Sequence, residues 1–357
     1  MRGEIMNLRA VQVRLDLLHT FRIARSADDS RESILVSVSD GDRLGLGEAA
    51  PMARYDQTAS GARGALLAIE HLLPVRAPRL TLEGVAGILA PLREALGKEK
   101  AALAAVDIAL HDMMGRESGR PLYEILGLDP SAAPVTSYTI GIDSPEAIAR
   151  KVEEASSFPV LKVKMGLDND YEIMEQIRGL TDKPVRIDAN EGWTREEALE
   201  KIRWLEPQNV QFIEQPLPAS KLEETRWLAE RVSIPLFADE SLRDIEDVAG
   251  LEGAFSGINI KLMKCGGITE ALRLIRAARA RGLQIMLGCT IESSIGITAA
   301  AQISPLVDYA DLDGNILIGN DPAEGVGAVD GRLILPDGPG LGAALRDGPA
   351  KKALISR

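Results

Sequence analysis

From about residue 134 onward, short apolar runs alternate with longer amphipathic stretches. The runs are rich in Val, Ile and Leu, which is typical of buried parallel strands. Two of the amphipathic stretches begin with helix-capping sequences, at Ser144 and Thr194. Eight strands alternating with helices predict a closed (β/α) barrel rather than an open sheet. The predicted strands are 135–140, 160–165, 185–187, 210–213, 236–238, 258–262, 284–287 and 309–312.

The pattern before residue 134 predicts a separate α+β unit. Its strand-like segments are 11–15, 34–38 and 44–47, and its helix-like segments are 58–73, 81–97 and the Ala-rich 100–115. The last part of the chain is rich in Gly and Pro and continues neither pattern. We therefore expect an N-terminal domain over 1–125, a barrel over 126–320 and a C-terminal segment, 321–357, that packs back on the N-terminal domain.

Composition narrows the possible partners and compartments. The net charge of −12 argues against nucleic acid or an anionic membrane as a partner. The first twenty residues carry charges throughout, unlike a signal peptide, and no apolar run has transmembrane length. The two cysteines, Cys265 and Cys289, lack metal-type spacing, so we expect no disulfide framework and a cytoplasmic protein.

The predicted strand 160–165 carries two lysines in an otherwise apolar run. Lys162 and Lys164 project to the same face, because side chains two residues apart on a strand do so. A solvated edge strand protected by lysines would explain them without any function. A buried strand would instead place two ammonium groups where proteins seldom tolerate charge.

Carboxylates follow the next three predicted strands at a regular interval. Asp188, Glu214 and Asp239 are separated by 26 and 25 residues, which is one strand–helix unit each. Because active sites of such barrels lie at the carboxyl ends of the strands, we expect the three to lie close together. They would repel one another without a cation, and oxygen ligands suit Mg²⁺, whereas Zn²⁺ would call for His or Cys. The alternative is three solvated loop carboxylates.

A further lysine, Lys261, follows Asp239 after another 22 residues. Its strand lies across the barrel from Lys164, so a substrate between them would face one amine on each side. Crowded cations lower one another's pKa, which would let a neutral amine act as a base. Lys261 on its own could also be a buried lysine paired with a carboxylate. Lys264 competes for the same role, but it lies beyond the predicted strand.

Short phrases surround these charged residues. They are Asp188-Ala189-Asn190, Glu214-Gln215-Pro216, Ala238-Asp239-Glu240-Ser241 and Lys264-Cys265-Gly266-Gly267. In combination with the Lys-x-Lys pair, the chain resembles the muconate-lactonizing-enzyme subgroup of the enolase superfamily over nearly its whole length.

The resemblance implies a modified (β/α)7β TIM-type barrel of the α/β class with an N-terminal α+β capping domain. It also implies one Mg²⁺ per subunit, held by Asp188, Glu214 and Asp239, and a reaction that begins by removing a proton α to a carboxylate. Lys164 and Lys261 would act as the acid/base pair. Lys162 would stabilise the resulting enediolate together with the metal.

Two residues at the last predicted strand help to distinguish among the reactions known for this subgroup. Asp311 and Asp313 project to one face, into the barrel mouth, where a substrate ammonium group would explain them. The pair resembles the Asp-x-Asp motif of dipeptide epimerases, which implies 1,1-proton transfer at the α-carbon of the C-terminal residue. The alternatives are an o-succinylbenzoate synthase, an N-acyl amino acid racemase, a muconate cycloisomerase-type enzyme or a non-catalytic barrel. In these cases the aspartates would only neutralise the lysines.

The resemblance also assigns the surroundings of the substrate. It implies that Thr139, Cys289, Thr290 and Ile291 line the pocket, with Cys289 packing rather than reacting. Specificity would come partly from two capping-domain loops, 21–31 and 50–58. Arg25 in the first loop is a candidate substrate ligand, but the nearby acids Asp28, Asp29 and Asp56 favour a cationic or non-acidic dipeptide over Ala-Glu. We expect a homo-oligomer.

Overall fold

The computed structural model describes residues 6–74 and 79–355, and its N-terminal domain, which we call the cap, is an antiparallel sheet backed by helices. The strands β1, β2 and β3 are neighbours in that order, and the first hairpin is long. The strands and helices of the cap are β1 (Asn7–Ile23), β2 (Ser26–Asp40), β3 (Arg43–Ala49), α1 (Ala59–Ile69), α2 (Leu82–Leu96), α3 (Lys100–Ser118) and α4 (Leu122–Ile125).

Helix α3 joins the cap to the rest of the molecule. Every residue from 101 to 115 is buried, because β3 covers one side of the helix and the helices of the barrel cover the other. Gly45 and Gly47 permit this approach: a Cβ atom at either would come within 1.8–2.0 Å of a backbone oxygen of α3. The small residues of both elements therefore set the distance between the cap sheet and the helix.

The second domain is the predicted barrel. Its eight strands are all parallel and follow one another in chain order, and a bridge between Thr136 and Ala310 joins the first strand to the last. The strands are β4 (Tyr138–Ile140), β5 (Leu161–Lys164), β6 (Val185–Asp188), β7 (Val210–Glu214), β8 (Leu236–Ala238), β9 (Gly257–Lys261), β10 (Gln284–Gly288) and β11 (Tyr309–Asp311). The connections are α5 (Pro145–Glu154), α6 (Asp170–Leu180), α7 (Arg195–Leu205), α8 (Leu222–Ala229), a 3-10 segment at Ile245–Leu251, α9 (Leu262–Cys265) with α10 (Ile268–Arg279), and α11 (Ser294–Ala301).

This architecture confirms the predicted (β/α)7β barrel with an α+β cap. All eight predicted barrel strands are present, and their lengths differ from the prediction by three residues at most. One prediction about the cap is wrong: segment 21–31 is not an open loop. It belongs to the β1–β2 hairpin, and only Ala24 and Arg25 form the turn. The alternation of the hairpin is hidden because polar residues occur on both of its faces: Asp28 and Glu32 line a cavity at the barrel mouth, and Asp29 is exposed outside it.

The end of the chain returns to the cap. It contains β12 (Ala323–Glu324), β13 (Gly327–Val329), β14 (Arg332–Ile334), β15 (Ala344–Leu345) and α12 (Pro349–Ile355). The hydroxyl of Ser37 donates to the Leu354 carbonyl at 2.9 Å, and the Leu341 amide donates to Asp112 in α3 at 2.9 Å. These contacts agree with the expected packing, and the boundaries at 125 and 320 stay predictions. None of the helices in the described ranges is long and apolar enough to cross a membrane.

Candidate active site

A cavity of about 410 Å³ lies between the cap hairpin and the carboxyl ends of the barrel strands. Two of the predicted metal ligands, Asp188 and Glu214, lie below it and are fully buried. The other predicted site residues line the cavity: Lys162, Lys164, Lys261, Asp239, Asp311, Asp313, Thr139, Cys289, Thr290, Ile291 and Arg25.

Strand register places the charged residues at one level of the barrel. Lys164 pairs with Asp188 across β5 and β6, and Asp188 pairs with Glu214 across β6 and β7. The ammonium group of Lys164 lies 2.7 Å from Asp188 Oδ2, and that of Lys261 lies 2.7 Å from Asp239 Oδ2. Parallel strands without a register shift at this level therefore bring together residues that are more than twenty positions apart in the chain.

Lys162 lies at the centre of this arrangement and is 1% exposed. Its ammonium group is 2.7 Å from Glu214 Oε2, 3.3 Å from Asp188 Oδ2 and 2.6 Å from Asp311 Oδ2. Burial alone would lower its pKa, but these three carboxylates raise it. The same holds for Lys261, whose pKa is raised by Asp239 and Glu214 despite burial. The expected lowering of lysine pKa values by neighbouring ammonium groups is thus outweighed by the carboxylates.

The donor set fits a divalent cation. Glu240 Oε2 and Asn190 Oδ1 are buried and accept no hydrogen bond from any described residue, and the buried Glu214 Oε2 has the ammonium group of Lys162 at 2.7 Å. Burial, followed by the charge of Asp188, raises the pKa of Glu214 to about 7. Within residues 6–74 and 79–355, no three acidic, His or Cys side chains lie at ligating distance of one point, and the ammonium group of Lys162 contacts both Asp188 and Glu214. An all-oxygen set of this kind suits Mg²⁺.

Two residues behind the carboxylates were not predicted as parts of the site. The side-chain amide of Asn259 donates to Glu214 Oε1 at 2.6 Å, and Lys264 donates to Asp239 Oδ1 at 2.6 Å and to its carbonyl at 2.7 Å. Asn259 had a detectable signal, because it is polar within a buried strand and lies two positions before Lys261. The sequence presents Lys264 as a competitor of Lys261, whereas in the structure the two lysines contact different oxygens of Asp239, Oδ1 and Oδ2 respectively.

The two aspartates of the last strand differ in their partners. Asp311 accepts hydrogen bonds from Lys162 and, at 2.7 Å, from the Ser137 hydroxyl. Asp313 accepts one from the Thr139 backbone amide at 2.6 Å and pairs with no lysine or arginine of the described chain. Burial, followed by the charge of Asp311, raises the pKa of Asp313 to about 7. Asp313 is therefore the carboxylate that a cation in the cavity can still neutralise.

Cys289 and Ile291 form an apolar part of the wall. Burial raises the pKa of the Cys289 thiol, with Asp313 and Asp311 acting in the same direction. A protonated, half-buried thiol is a poor nucleophile, which supports the packing role expected for it.

On the cap side, the basic residues are already paired. Arg25 donates to the Asn190 carbonyl at 2.6 Å and forms ion pairs with Glu191 and Glu240 at 3.0 and 2.7 Å. Arg54 binds Glu191 through two nitrogens.

The acidic residues of the cap divide into two groups. Asp28 and Glu32 line the cavity, whereas Asp29 and Asp56 are exposed residues outside its lining. Asp28 pairs with Arg31 at 2.7 Å. Glu32 has no hydrogen bond or ion pair with any described residue. The cap therefore contributes one unpaired charge to the cavity, and it is negative.

Comparison with known proteins gives consistent matches over most of the chain. The mandelate racemase/muconate lactonizing enzyme N-terminal domain model matches residues 6–127, and the enolase C-terminal domain-like model matches residues 146–348. The L-Ala-D/L-Glu epimerase of Bacteroides thetaiotaomicron is 42% identical, over 95% of this chain and 88% of the relative. The L-Ala-D/L-amino acid epimerase of Pedosphaera parvula is 40% identical, over 91% and 94%.

A solved structure extends the match to the fold. The dipeptide epimerase of Cytophaga hutchinsonii, crystallised with Mg and the dipeptide D-Ala-L-Val, superposes with a TM-score of 0.90 at 27% identity, over 97% of this chain and 98% of the other.

Proposed function

The chain belongs to the mandelate racemase/muconate lactonizing enzyme family, and we propose that it is a Mg²⁺-dependent dipeptide epimerase. The reaction is a 1,1-proton transfer that inverts the α-carbon of the C-terminal residue, so the enzyme is an isomerase acting on amino acid derivatives. The named relatives are epimerases of dipeptides, and one of them binds Mg together with its dipeptide, which supports both the reaction and the metal.

One observation distinguishes a dipeptide from the other substrates of the family. Asp313 is a buried carboxylate that faces the cavity without a cationic partner in the described chain. A free α-ammonium group would supply that partner, since a buried carboxylate is costly unless it is paired. N-acyl amino acids and cyclohexadiene carboxylates carry no such group. Asp311 is already neutralised by Lys162 and would contribute less to ammonium binding than Asp313.

The roles of the remaining residues follow from their positions. Asp188, Glu214 and Asp239 would hold Mg²⁺, which supplies electrophilic stabilisation of the substrate carboxylate when bound. Lys164 and Lys261 approach the cavity from opposite sides of the barrel. One removes the α-proton and the other returns a proton to the opposite face. The charge of Lys162 would stabilise the electron-rich carboxylate of the intermediate.

We further propose that the dipeptide carries neutral or cationic rather than acidic side chains. Every arginine that lines the cavity is paired with a carboxylate of the chain itself, and Glu32 is unpaired. An acidic side chain would have to break the Arg25 pairs with Glu191 and Glu240 to gain a counter-ion. The test is to compare kcat/KM for L-Ala-L-Leu, L-Ala-L-Lys and L-Ala-L-Glu. If L-Ala-L-Glu has the highest value, this proposal is wrong, and Arg25 would be the ligand of the acidic side chain.

Isotope exchange tests the reaction itself. The protein is incubated with Mg²⁺ and a library of L,L-dipeptides in D₂O, and deuterium at each α-carbon is followed by mass spectrometry. We expect exchange at the C-terminal residue together with formation of the L,D epimer. Parallel incubations contain an N-succinylamino acid and a cyclohexadiene carboxylate. Turnover of either, without exchange in any dipeptide, would show that the enzyme is a racemase of acylated amino acids or an o-succinylbenzoate synthase instead.

We also propose a cytoplasmic homo-oligomer. The cysteines Cys265 and Cys289 are both free thiols, which suits a reducing compartment. Leu18 and Val329 are large apolar side chains with 59% and 61% exposure, and assembly would cover such positions. Light scattering of the purified protein tests the assembly, and a monomeric mass at micromolar concentration would contradict it.

A further inference from the structure

Two glutamates that the reaction does not use meet behind the wall of the cavity. Glu48 comes from β3 of the cap and Glu292 from the loop between β10 and α11, and they are 0% and 2% exposed. Both lie against Gly296: a Cβ atom there would come within 2.5 Å of Glu292 Oε2 and 3.1 Å of Glu48 Oε2. Neither forms an ion pair with any lysine, arginine or histidine of the described chain. Two adjoining buried carboxyl groups without a cation cannot both be ionised at low cost.

The hydrogen bonds show which of the two carries charge more easily. Glu48 accepts four donors: the hydroxyl of Ser33 at 2.7 Å, the amide and hydroxyl of Ser293 at 2.9 and 2.5 Å, and the Gly296 amide at 3.0 Å. Two of these donors are backbone amides at the start of α11, where negative charge is favourable. Glu292 accepts only from the amide and hydroxyl of Thr290, both through Oε1.

The geometry points to a carboxyl pair that shares one proton. We propose that this proton resides mainly on Glu292 and that the shared proton links the cap strand β3 to the barrel. Glu292 thereby acts as a positioning residue for Thr290 in the cavity wall. The effect on catalysis rests on the proposed function, because Thr290 matters only if a substrate occupies the cavity. The proton sharing itself does not depend on that function.

The electrostatics of the surroundings support this assignment. Burial, followed by the charge of Glu48, raises the pKa of Glu292 to about 8, whereas Lys261 on β9 acts in the opposite direction. Burial also raises the pKa of Glu48, against the effect of its four donors. The charges of Glu48 and Lys261 act on Glu292 from neighbouring elements. Near it in sequence, Thr290 donates to it, and the titratable thiol of Cys289 interacts electrostatically with it.

Activity against pH gives the first test. When Glu292 loses its proton, two carboxylates face each other and Thr290 is no longer held, so KM should rise while kcat changes little. Between pH 8 and pH 9 the α-ammonium group of the dipeptide also loses its proton, which lowers kcat/KM in every variant. The ratio of wild-type kcat/KM to that of Glu292→Gln should therefore fall about fivefold over this range, as the protonated fraction of a group with a pKa near 8 does. Glu292→Gln carries no titrating carboxyl group at this position and should show only the fall that the substrate ammonium group causes.

The controls separate a specific role from a structural one. Glu292→Ala, which cannot hold Thr290, should raise KM at all pH values. Glu153→Gln on the exposed face of α5 should keep the wild-type profile. If the profiles of wild type and Glu292→Gln superpose between pH 7 and pH 9.5, the shared proton does not position the cavity wall.

Thermal unfolding gives a test that needs no substrate. The folded-state pKa of Glu292 lies above its value in the unfolded chain. Its stabilising contribution to the free energy of unfolding is therefore fully present below about pH 4.5 and is lost as pH rises toward 8. The difference in thermal unfolding midpoint, Glu292→Gln minus wild type, should therefore increase by about 2 °C or more when the pH is raised from 5 to 8.5. A constant difference across this range would overturn the shared proton. If the midpoint shifts but no dipeptide is turned over, the carboxyl pair stands and the proposed function fails.

Discussion

The cavity has two halves that are charged in different ways. In the barrel half, Lys162, Asp188 and Glu214 are at most 1% exposed, and strand register fixes their positions. In the cap half, Arg25 and Arg54 have side chains that are 33% and 44% exposed, at a turn and in a 3-10 segment. The barrel charges are held by the backbone of a closed sheet, whereas the cap arginines are held by ion pairs with Glu191 and Glu240, which follow strands of the barrel.

This difference separates chemistry from selectivity. Buried charges in a low-dielectric site act strongly on a developing negative charge and need no reorganisation when it forms. Exposed, paired charges at the mouth act weakly and can change partners. Substitutions in the barrel half should therefore abolish the reaction, and substitutions in the cap half should alter which dipeptide reacts.

The largest effect should come from the two lysines on opposite sides. Lys164→Met and Lys261→Met should each lower the rate of epimerisation by about 10³-fold or more, because each removes one of the two groups that transfer the α-proton. Lys201→Met is a matched control, since Lys201 is a buried lysine paired with Asp170 at 2.7 Å, away from the cavity.

The two lysine variants should also differ from each other. Each retains one lysine, so each should exchange the α-hydrogen of one epimer in D₂O without inverting it, and the two variants should act on opposite epimers. Mass spectrometry of the L,L and L,D dipeptides measures this. Exchange of the same epimer by both variants would show that the lysines do not act on opposite faces.

The next effect should come from Asp313, which lies between the two halves. Asp313→Asn should lower kcat/KM for dipeptides by about 10²-fold, since a buried charge-assisted contact with the ammonium group is lost. The pKa of Asp313 near 7 adds a pH signature: ionised Asp313 binds the ammonium group, so wild-type kcat/KM should rise with pH through about 7. The asparagine variant should lose that rise.

Metal binding provides the control for Asp313. Mg²⁺ affinity, measured by calorimetry, should be the same in Asp313→Asn as in wild type, because Asp313 is not one of the proposed ligands. A large loss of Mg²⁺ affinity would mean that the substitution disturbs the barrel rather than the ammonium site. Unchanged kcat/KM would refute the ammonium role.

The same contrast explains what could be predicted from the sequence. Asp188, Glu214, Asp239 and Lys261 were predictable because a parallel barrel repeats a strand every 22 to 26 residues, and register alone brings their side chains together. The number of barrel strands followed from the alternation of apolar runs for the same reason.

The remaining features depend on contacts that no periodicity encodes. The pairing of Arg25 with Glu240 joins residues 215 positions apart on two domains. The approach of Glu48 to Glu292 similarly requires the cap to be placed on the barrel. The long β1–β2 hairpin was not predicted either, since polar residues such as Asp28 and Glu32 line the cavity and hide the alternation typical of a strand.

A smaller effect is expected from Asn259, which orients a proposed ligand without being one. Asn259→Ala removes the hydrogen bond at 2.6 Å to Glu214 Oε1 and should weaken Mg²⁺ binding by about tenfold, as loss of an outer contact to a metal ligand commonly does. Calorimetric titration with Mg²⁺ measures this without substrate. Asn209→Ala is the control, because Asn209 makes its contact with the Asp182 carbonyl outside the site. Equal Mg²⁺ affinity in both variants would leave Asn259 with a structural role only.

The smallest effect belongs to Glu32 at the edge of the cap half, and it is the most direct test of selectivity. Glu32→Gln removes the one charge of the cap that faces the cavity without a partner in the described chain. The ratio of kcat/KM for L-Ala-L-Lys to that for L-Ala-L-Leu should fall by about two- to fivefold, because a single exposed charge contributes little to binding. Raising the salt concentration should produce the same fall in wild type and almost none in the variant, since salt screens exposed charges. If the substitution instead lowered kcat for both dipeptides equally, the cap would take part in the chemistry, and the separation between the two halves of the cavity would be wrong.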